Sequence, residues 1–329
     1  MKAKKIENPA LLDHLGRIGH DGVDRFLLAR GRFRLAVLHG TSLVNQMRSN
    51  HGLGILETLI LGHAYMASAL MASNLKGREK VLIQVSCTGP VGGLRVESSA
   101  RGEVRGYLNN NVIEIESPLE SFDTTPFFGN GTITVTRKPE SPTHHEYTGH
   151  IEIVHGNLAS DLTRYYAVSE QTPTALALSV KFDRDGMVVG AGGLLLQALP
   201  TDEMRSIAAD ESGKAEIAEG YDAAVAAIEK EIAKLPSIGE LFSRGRTQTD
   251  IVREHFDGFK PLYIGSRPLE FSCDCNRERF GRFLAALPSS EIEDIRENGP
   301  FPLQITCHNC ASDYSFTREE IAALSNGTK

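Results

Sequence analysis

Four of the five cysteines in this 329-residue chain form two close pairs near its C-terminal end, Cys273 with Cys275 and Cys307 with Cys310. Cys-x-x-Cys is the spacing of a knuckle, a tight turn that aims two sulfurs at one ion. Cys-x-Cys does likewise in extended chain, because residues i and i+2 point to the same side. Two such pairs supply the four soft ligands of a tetrahedral zinc site, with Zn–S near ~2.3 Å. Thirty-one residues stand between Cys275 and Cys307, more than the roughly 15–20 of an ordinary four-cysteine zinc ribbon. His308, inside the turn, reads as a neighbour of the site or a solvent-facing residue, since four thiolates already complete the ligand set. Cys87 stands alone in a predicted strand and reads as a small buried hydrophobe.

The elements around the cysteines can bring the pairs together. Asn276 to Leu287 reads as a helix closed by Pro288. Ser290-Glu-Ile-Glu293 reads as the cap of a second helix, ended by Gly299-Pro300. Leu303 to Thr306 is a predicted strand leading into the knuckle, and Tyr314 to Phe316 is its return. Thr317-Arg-Glu-Glu320 is a capping box for a final helix with Ile321 and Leu324 on it. A unit this small has a weak core, so metal binding should carry much of its folding free energy, on the order of 10 kcal/mol.

Upstream, the first two hundred residues read as one unit. Predicted strands run over Phe33–Leu38, Val81–Cys87, Gly93–Glu97, Gly131–Arg137, His150–Val154, Ala175–Phe182 and Val188–Gln197. Long helical patterns cover Leu53–Leu75 and Asn157–Ser169. Runs of strands with few helices between them indicate α+β, a mixed α/β core with a largely antiparallel sheet. At Pro200 the composition shifts. Acidic residues dominate from Thr201 to Lys234, while Ile217, Tyr221, Val225, Ile228, Ile232 and Leu235 share one helical face. Pro236 stops that helix and Ser237-Ile-Gly-Glu240 opens a short one. Such a helical linker buries little surface alone, so its order depends on what it packs against. The expected division is a core over 1–200, a metastable linker over 201–262 and a zinc-binding domain over 263–329.

Bulk properties exclude several classes. The chain is 41% apolar, lacks Trp and carries a net charge of −7, which argues against nucleic acid as a main partner. The N-terminal residues show no apolar segment of a signal peptide. Leu53 to Leu75 is interrupted by Glu57 and His63, as suits a buried helix better than a membrane span. No membrane partner is expected, and the expected location is the cytoplasm. There, clustered cysteines bind metal or do redox chemistry rather than form a permanent framework.

The pattern Cys-x-Cys-x31-Cys-x-x-Cys, with Asn276-Arg-Glu-Arg279 after its first pair, resembles the 33 kDa heat-shock protein family of redox-regulated holdase chaperones. The resemblance extends through Ser169-Glu-Gln-Thr-Pro-Thr174 after Tyr165-Tyr166, and through Ala191-Gly-Gly-Leu-Leu-Leu-Gln-Ala-Leu-Pro200. Arg30-Gly-Arg-Phe33 and Gly102-Glu-Val-Arg-Gly106 are similar to shorter family features. Ala311 stands where the family usually has Gly, and Asn309 where an aromatic is common.

The resemblance implies an ATP-independent chaperone, not an enzyme, that binds unfolding client proteins under oxidative stress. It implies that Cys273, Cys275, Cys307 and Cys310 bind one zinc when reduced. Under peroxide or hypochlorous acid, Cys273 would pair with Cys275 and Cys307 with Cys310, releasing the ion and loosening the linker. It also implies a homodimer in the oxidised state. A disulfide between Cys273 and Cys275 closes a very small ring, so the more relaxed Cys307–Cys310 bridge is expected first. A constitutive zinc-stabilised binding protein that never switches is the alternative. A thiolate enzyme fits less well, because neither pair opens a helix after a thioredoxin-like strand.

Overall fold

Alternating strands that are apolar on both faces need a layer on each side, and a helix that is apolar all round must lie between layers. Both conditions are met here. The computed structural model describes residues 4–115, 121–141, 145–199 and 214–325. Its first part runs α1 (Pro9–Arg17), β1 (Gly22–Leu28), β2 (Phe33–His39), α2 (Thr41–His51), α3 (Ile55–Ala72), β3 (Lys80–Cys87), β4 (Leu94–Ser99) and β5 (Glu103–Leu108). Next come α4 (Thr125–Phe128), β6 (Gly131–Lys138), β7 (Tyr147–Glu152), α5 (Leu158–Val168), β8 (Thr174–Phe182) and β9 (Val188–Ala198). The connector carries α6 (Lys214–Lys234), α7 (Ile238–Ser243) and α8 (Gln248–Phe256), then β10 (Leu262–Pro268) and β11 (Glu270–Phe271). The C-terminal unit is α9 (Arg277–Ala285), α10 (Ser289–Asn298), β12 (Leu303–Thr306), β13 (Asp313–Phe316) and α11 (Arg318–Ser325).

One sheet has the order β10-β1-β2-β9-β8 and is antiparallel throughout. The other has the order β11-β5-β4-β3-β6-β7, antiparallel except where β11 runs parallel to β5. A hairpin, β12-β13, belongs to the C-terminal unit. The α+β class with largely antiparallel sheets is therefore the observed one.

Helix α3 lies between the two sheets, with 89% of its residues buried. Its neighbours include Ala36, Leu38, Val180 and Leu195 from one sheet and Ile83, Val85, Val96 and Val104 from the other. A helix enclosed this way is apolar on every face without meeting a membrane. Alternation along β2 sends Leu35 and Val37 to the opposite face of the first sheet. There they meet Ile228 of α6, Ile238, Leu241 and Phe242 of α7, and Ile251, Val252 and Phe256 of α8. The connector is thus the second layer over an apolar sheet face.

Several elements differ from their sequence expectation. The single helix over Leu53–Leu75 is α3 alone, and α2 precedes it, separated by Gly52 at φ 66°. Helix α2 escaped notice because Asn45, Asn50 and His51 are buried on it together with Leu43, Val44 and Met47, which blurs its apolar period. Helix α10 begins at Ser289 behind Pro288 with no side-chain cap, so Ser290 is inside the helix rather than capping it. Ser237, Asn276 and Thr317 do cap, accepting from the backbone amides of Glu240, Arg279 and Glu320. Residues 201–213 and the side chains of Ile217, Tyr221 and Leu324 lie outside the described residues.

Candidate metal centre

Local structure delivers the two cysteine pairs from opposite directions. Strand β11 is hydrogen-bonded to β5, and Ser272 N donates to Val104 O at 3.1 Å, so Cys273 and Cys275 leave the edge of the core in extended chain. Phe271, beside them, stacks on Tyr65 of α3 at 6.5 Å. The hairpin β12-β13 presents the other pair. Cys307 N donates to Ser312 O at 2.9 Å, and Ala311 N donates to Cys307 O at 2.7 Å, which closes the knuckle. Ala311 sits at φ 50° to make that turn. Such left-handed backbone favours glycine, so alanine holds this turn at some conformational cost.

The four sulfurs lie within 4.8 Å of one another, and all four cysteines are buried and unbridged. Cys273 Sγ is 3.8 Å from Cys307 Sγ, and Cys275 Sγ is 3.2 Å from Cys310 Sγ. In a tetrahedron with Zn–S near ~2.3 Å, neighbouring sulfurs stand about 3.8 Å apart. A zinc ion therefore fits the donor set in type, number and spacing. Burial pushes the Cys275 thiol up to about 11. Contact with Cys273 and Cys310 pushes the Cys307 thiol up, while hydrogen bonds from Cys273 and Cys307 hold Cys310 down. A divalent cation would let all four ionise together.

Charged and polar neighbours hold the cluster against the core. Asp274, between the first two cysteines, pairs with Arg105 of β5 and, at 2.6 Å, with Arg279 of α9. Burial alone would raise the Asp274 carboxyl, but these two guanidinium groups hold it below its ordinary value. Arg105 also reaches Glu97 at 3.0 Å. Tyr314 Oη donates to Cys275 O at 3.2 Å and lies 3.2 Å from Cys275 Sγ. A cleft lined by Arg105, Asp274, Arg279, Phe280 and Phe283 opens onto Cys273, Cys275 and Cys307.

All four cysteines singled out in the sequence thus come together. His308 is exposed and meets Tyr107 edge-on at 5.2 Å, outside the sulfur cluster. Cys87 is half-buried in β3 beside the main core, with its thiol pushed up by burial. Sequence reasoning missed Asp274, Arg105 and Tyr314. The position of Asp274 inside Cys-x-Cys was a usable signal, but nothing local links it to Arg105, which is 169 residues away.

An antiparallel α+β core, helices laid on one face of its sheet and four buried thiols at its edge that could hold a metal ion define the class of protein. Residues 21–317 match the family described as Hsp33 protein, and the chain belongs to that family. It is 33% identical over 308 residues to the 33 kDa chaperonin of Desulforamulus reducens, covering 92% of this chain and 97% of that one. It is also 33% identical over 303 residues to the 33 kDa chaperonin of Ruminiclostridium cellulolyticum, covering 92% and 96%. The crystal structure of the Thermotoga maritima 33 kDa chaperonin superposes with a TM-score of 0.76 at 29% identity, over 94% of this chain and 98% of that one.

Proposed function

We propose that this chain is a redox-regulated, ATP-independent chaperone that holds unfolding proteins during oxidative stress. The observation that carries this reading is the convergence of four buried sulfurs within 4.8 Å, packed against the main core cluster. In this reading the working parts are a core over 1–200, a linker over 201–262 and a C-terminal switch over 263–329. The last part begins inside β10, which the core holds through β1. The protein is then a cytoplasmic binding protein, not an enzyme, monomeric when reduced and a homodimer when oxidised.

Zinc, when bound, would keep Cys273, Cys275, Cys307 and Cys310 as thiolates and tie the C-terminal unit together. Thiolate is the form that oxidants attack. Each cysteine pair gives two electrons to one peroxide: an S–S bond forms, the O–O bond breaks, and two hydroxide ions leave. We assign the bridges as Cys273–Cys275 and Cys307–Cys310, although the shortest sulfur approaches in the reduced cluster run between the pairs. Paired sulfurs no longer bind a metal, and the unit loses its main tie. Ser272 alone separates Cys273 from β11, so opening of the cluster pulls directly on β11 and then β10, where the connector ends. Helices α6 to α8 would then release the apolar sheet face beneath them for clients.

The test is a peroxide titration of full-length protein, following zinc with a metallochromic dye, bridges by mass spectrometry of alkylated peptides, and aggregation of an unfolding client. Zinc release and client protection should rise together, with Cys307–Cys310 bridged before Cys273–Cys275. Client protection that is the same before and after oxidation would support the constitutive zinc-stabilised alternative instead.

A further inference from the structure

Strands β2 and β9 and helix α7 build a place for one flat ring. His39, at the end of β2, is 2% exposed, and its imidazole lies 4.3 Å from the ring of Phe242 with the planes 19° apart. Its Nδ1 is 3.3 Å from His20 O, which can only accept, so the ring carries its proton on Nδ1. Nε2 then accepts from the Thr41 hydroxyl at 2.9 Å, and Thr41 Oγ1 accepts from Ala191 N at 2.9 Å. Both edges of the imidazole are held, and burial keeps it neutral by lowering its pKa to about 4.

Glycines make the adjoining floor. Gly192 pairs with His39 across β2 and β9, and a β-carbon there would run into the Phe242 ring. A β-carbon on Gly190 would collide with Gly239 O of α7, and one on Gly239 would lie 2.8 Å from Ser179 Oγ. Gly239 N donates to Ser179 Oγ at 2.6 Å, and Lys181 pairs with Glu240 at 2.7 Å. The glycine-rich run of β9 is therefore a seat on which α7 rests at backbone distance, with Phe242 delivered onto His39.

We propose that this seat is a client-binding subsite that selects aromatic side chains, and that Phe242 fills it for as long as the connector stays docked. The proposal rests on the chaperone reading above and adds the ligand class. A neutral, edge-locked imidazole beside bare glycine backbone offers a flat wall that a planar ring matches, whereas a branched aliphatic side chain stacks poorly on it. Aromatic side chains are among the groups an unfolding protein newly exposes.

The test uses full-length, reduced protein carrying Gly239→Glu, which puts a side chain where α7 has no room and leaves the slot and the four cysteines untouched. The His39 ring protons, assigned with His39→Gln, report on the slot by NMR. In the unsubstituted protein Phe242 shifts them, and in Gly239→Glu they should return toward ordinary positions. A wild-type-like His39 spectrum in that variant would overturn the seat. Two unstructured peptides that differ by one Phe or Leu are then titrated. The Phe peptide should restore the shift and bind about 2- to 10-fold tighter. Equal affinities, or His39 signals that ignore both peptides, would sink the proposal. Gly192→Val in the same background fills the slot and should abolish the preference for Phe, and a preference that survives would also overturn it. No oxidant enters this experiment, so its failure is separate from failure of the redox reading, which the peroxide titration measures.

Discussion

Helix α3 has nearly all its side chains enclosed between two sheets, whereas the C-terminal unit, among the described residues, buries four apolar side chains in a cluster of its own, Leu284, Ile292, Phe316 and Ile321. The first arrangement is stabilised by apolar area removed from water, which no small oxidant can alter. In the second, the four cysteines that would close the unit are themselves the reactive groups. A chemical signal can act on one region and spare the other because the two are held by different forces. The connector stands between these extremes. It is a charged helical segment laid on an apolar face of the core sheet.

The largest effect that would sharpen this contrast is metal removal. A chelator added under reducing conditions should strip hydrogen-exchange protection from α9, α10 and β12-β13, since zinc binding is worth on the order of 10 kcal/mol to such a unit. Protection in β2 and β9 should persist. A C-terminal unit that keeps its protection without metal would break the comparison.

A smaller effect separates the connector from the core. Burial holds His39 at about 4 against an ordinary value of 6.5, so the docked state excludes its proton. The part of that burial which α7 supplies through the Phe242 ring is fully present above about pH 6.5, weakens as pH falls, and is lost below about pH 4. Asp21, pushed up to about 7 by burial, acts with the opposite sign. The informative quantity is therefore the difference in α7 hydrogen exchange between the unsubstituted protein and His39→Gln across this range. Parallel pH profiles would show that His39 does not sense the connector.

The smallest expected effect lies in the knuckle. Ala311 holds φ 50°, a conformation that costs a residue with a β-carbon about 1 kcal/mol relative to glycine. Ala311→Gly should raise zinc affinity several-fold in a chelator competition and leave thermal unfolding of the core unchanged. An unchanged or weakened affinity would mean that the turn is relaxed with alanine in place.

Much of this was legible in the residues themselves. Two cysteine pairs state their ligand chemistry by type and spacing, and the antiparallel class follows from strands in series. What escaped was set by partners far away in the chain. Strand β10 looks unremarkable as Leu-Tyr-Ile-Gly-Ser-Arg-Pro, yet it pairs with β1, more than two hundred residues earlier. The buried polar residues of α2 hide its period, because their partners lie elsewhere: Asn45 donates to Val188 O at 2.9 Å.

The sequence by itself determined that four thiols would meet, because ligand type and short spacing are local properties that survive any arrangement of the rest. It also determined that α3 would be enclosed, since a helix apolar on all sides has no other stable place in a folded core. Tertiary structure decided where the cysteine cluster docks, which sheet face the connector covers, and what the glycines of β9 are for. A glycine in a strand tells only that a side chain is missing, and the reason it is missing is the α7 backbone and the Phe242 ring that approach from fifty residues further along the chain.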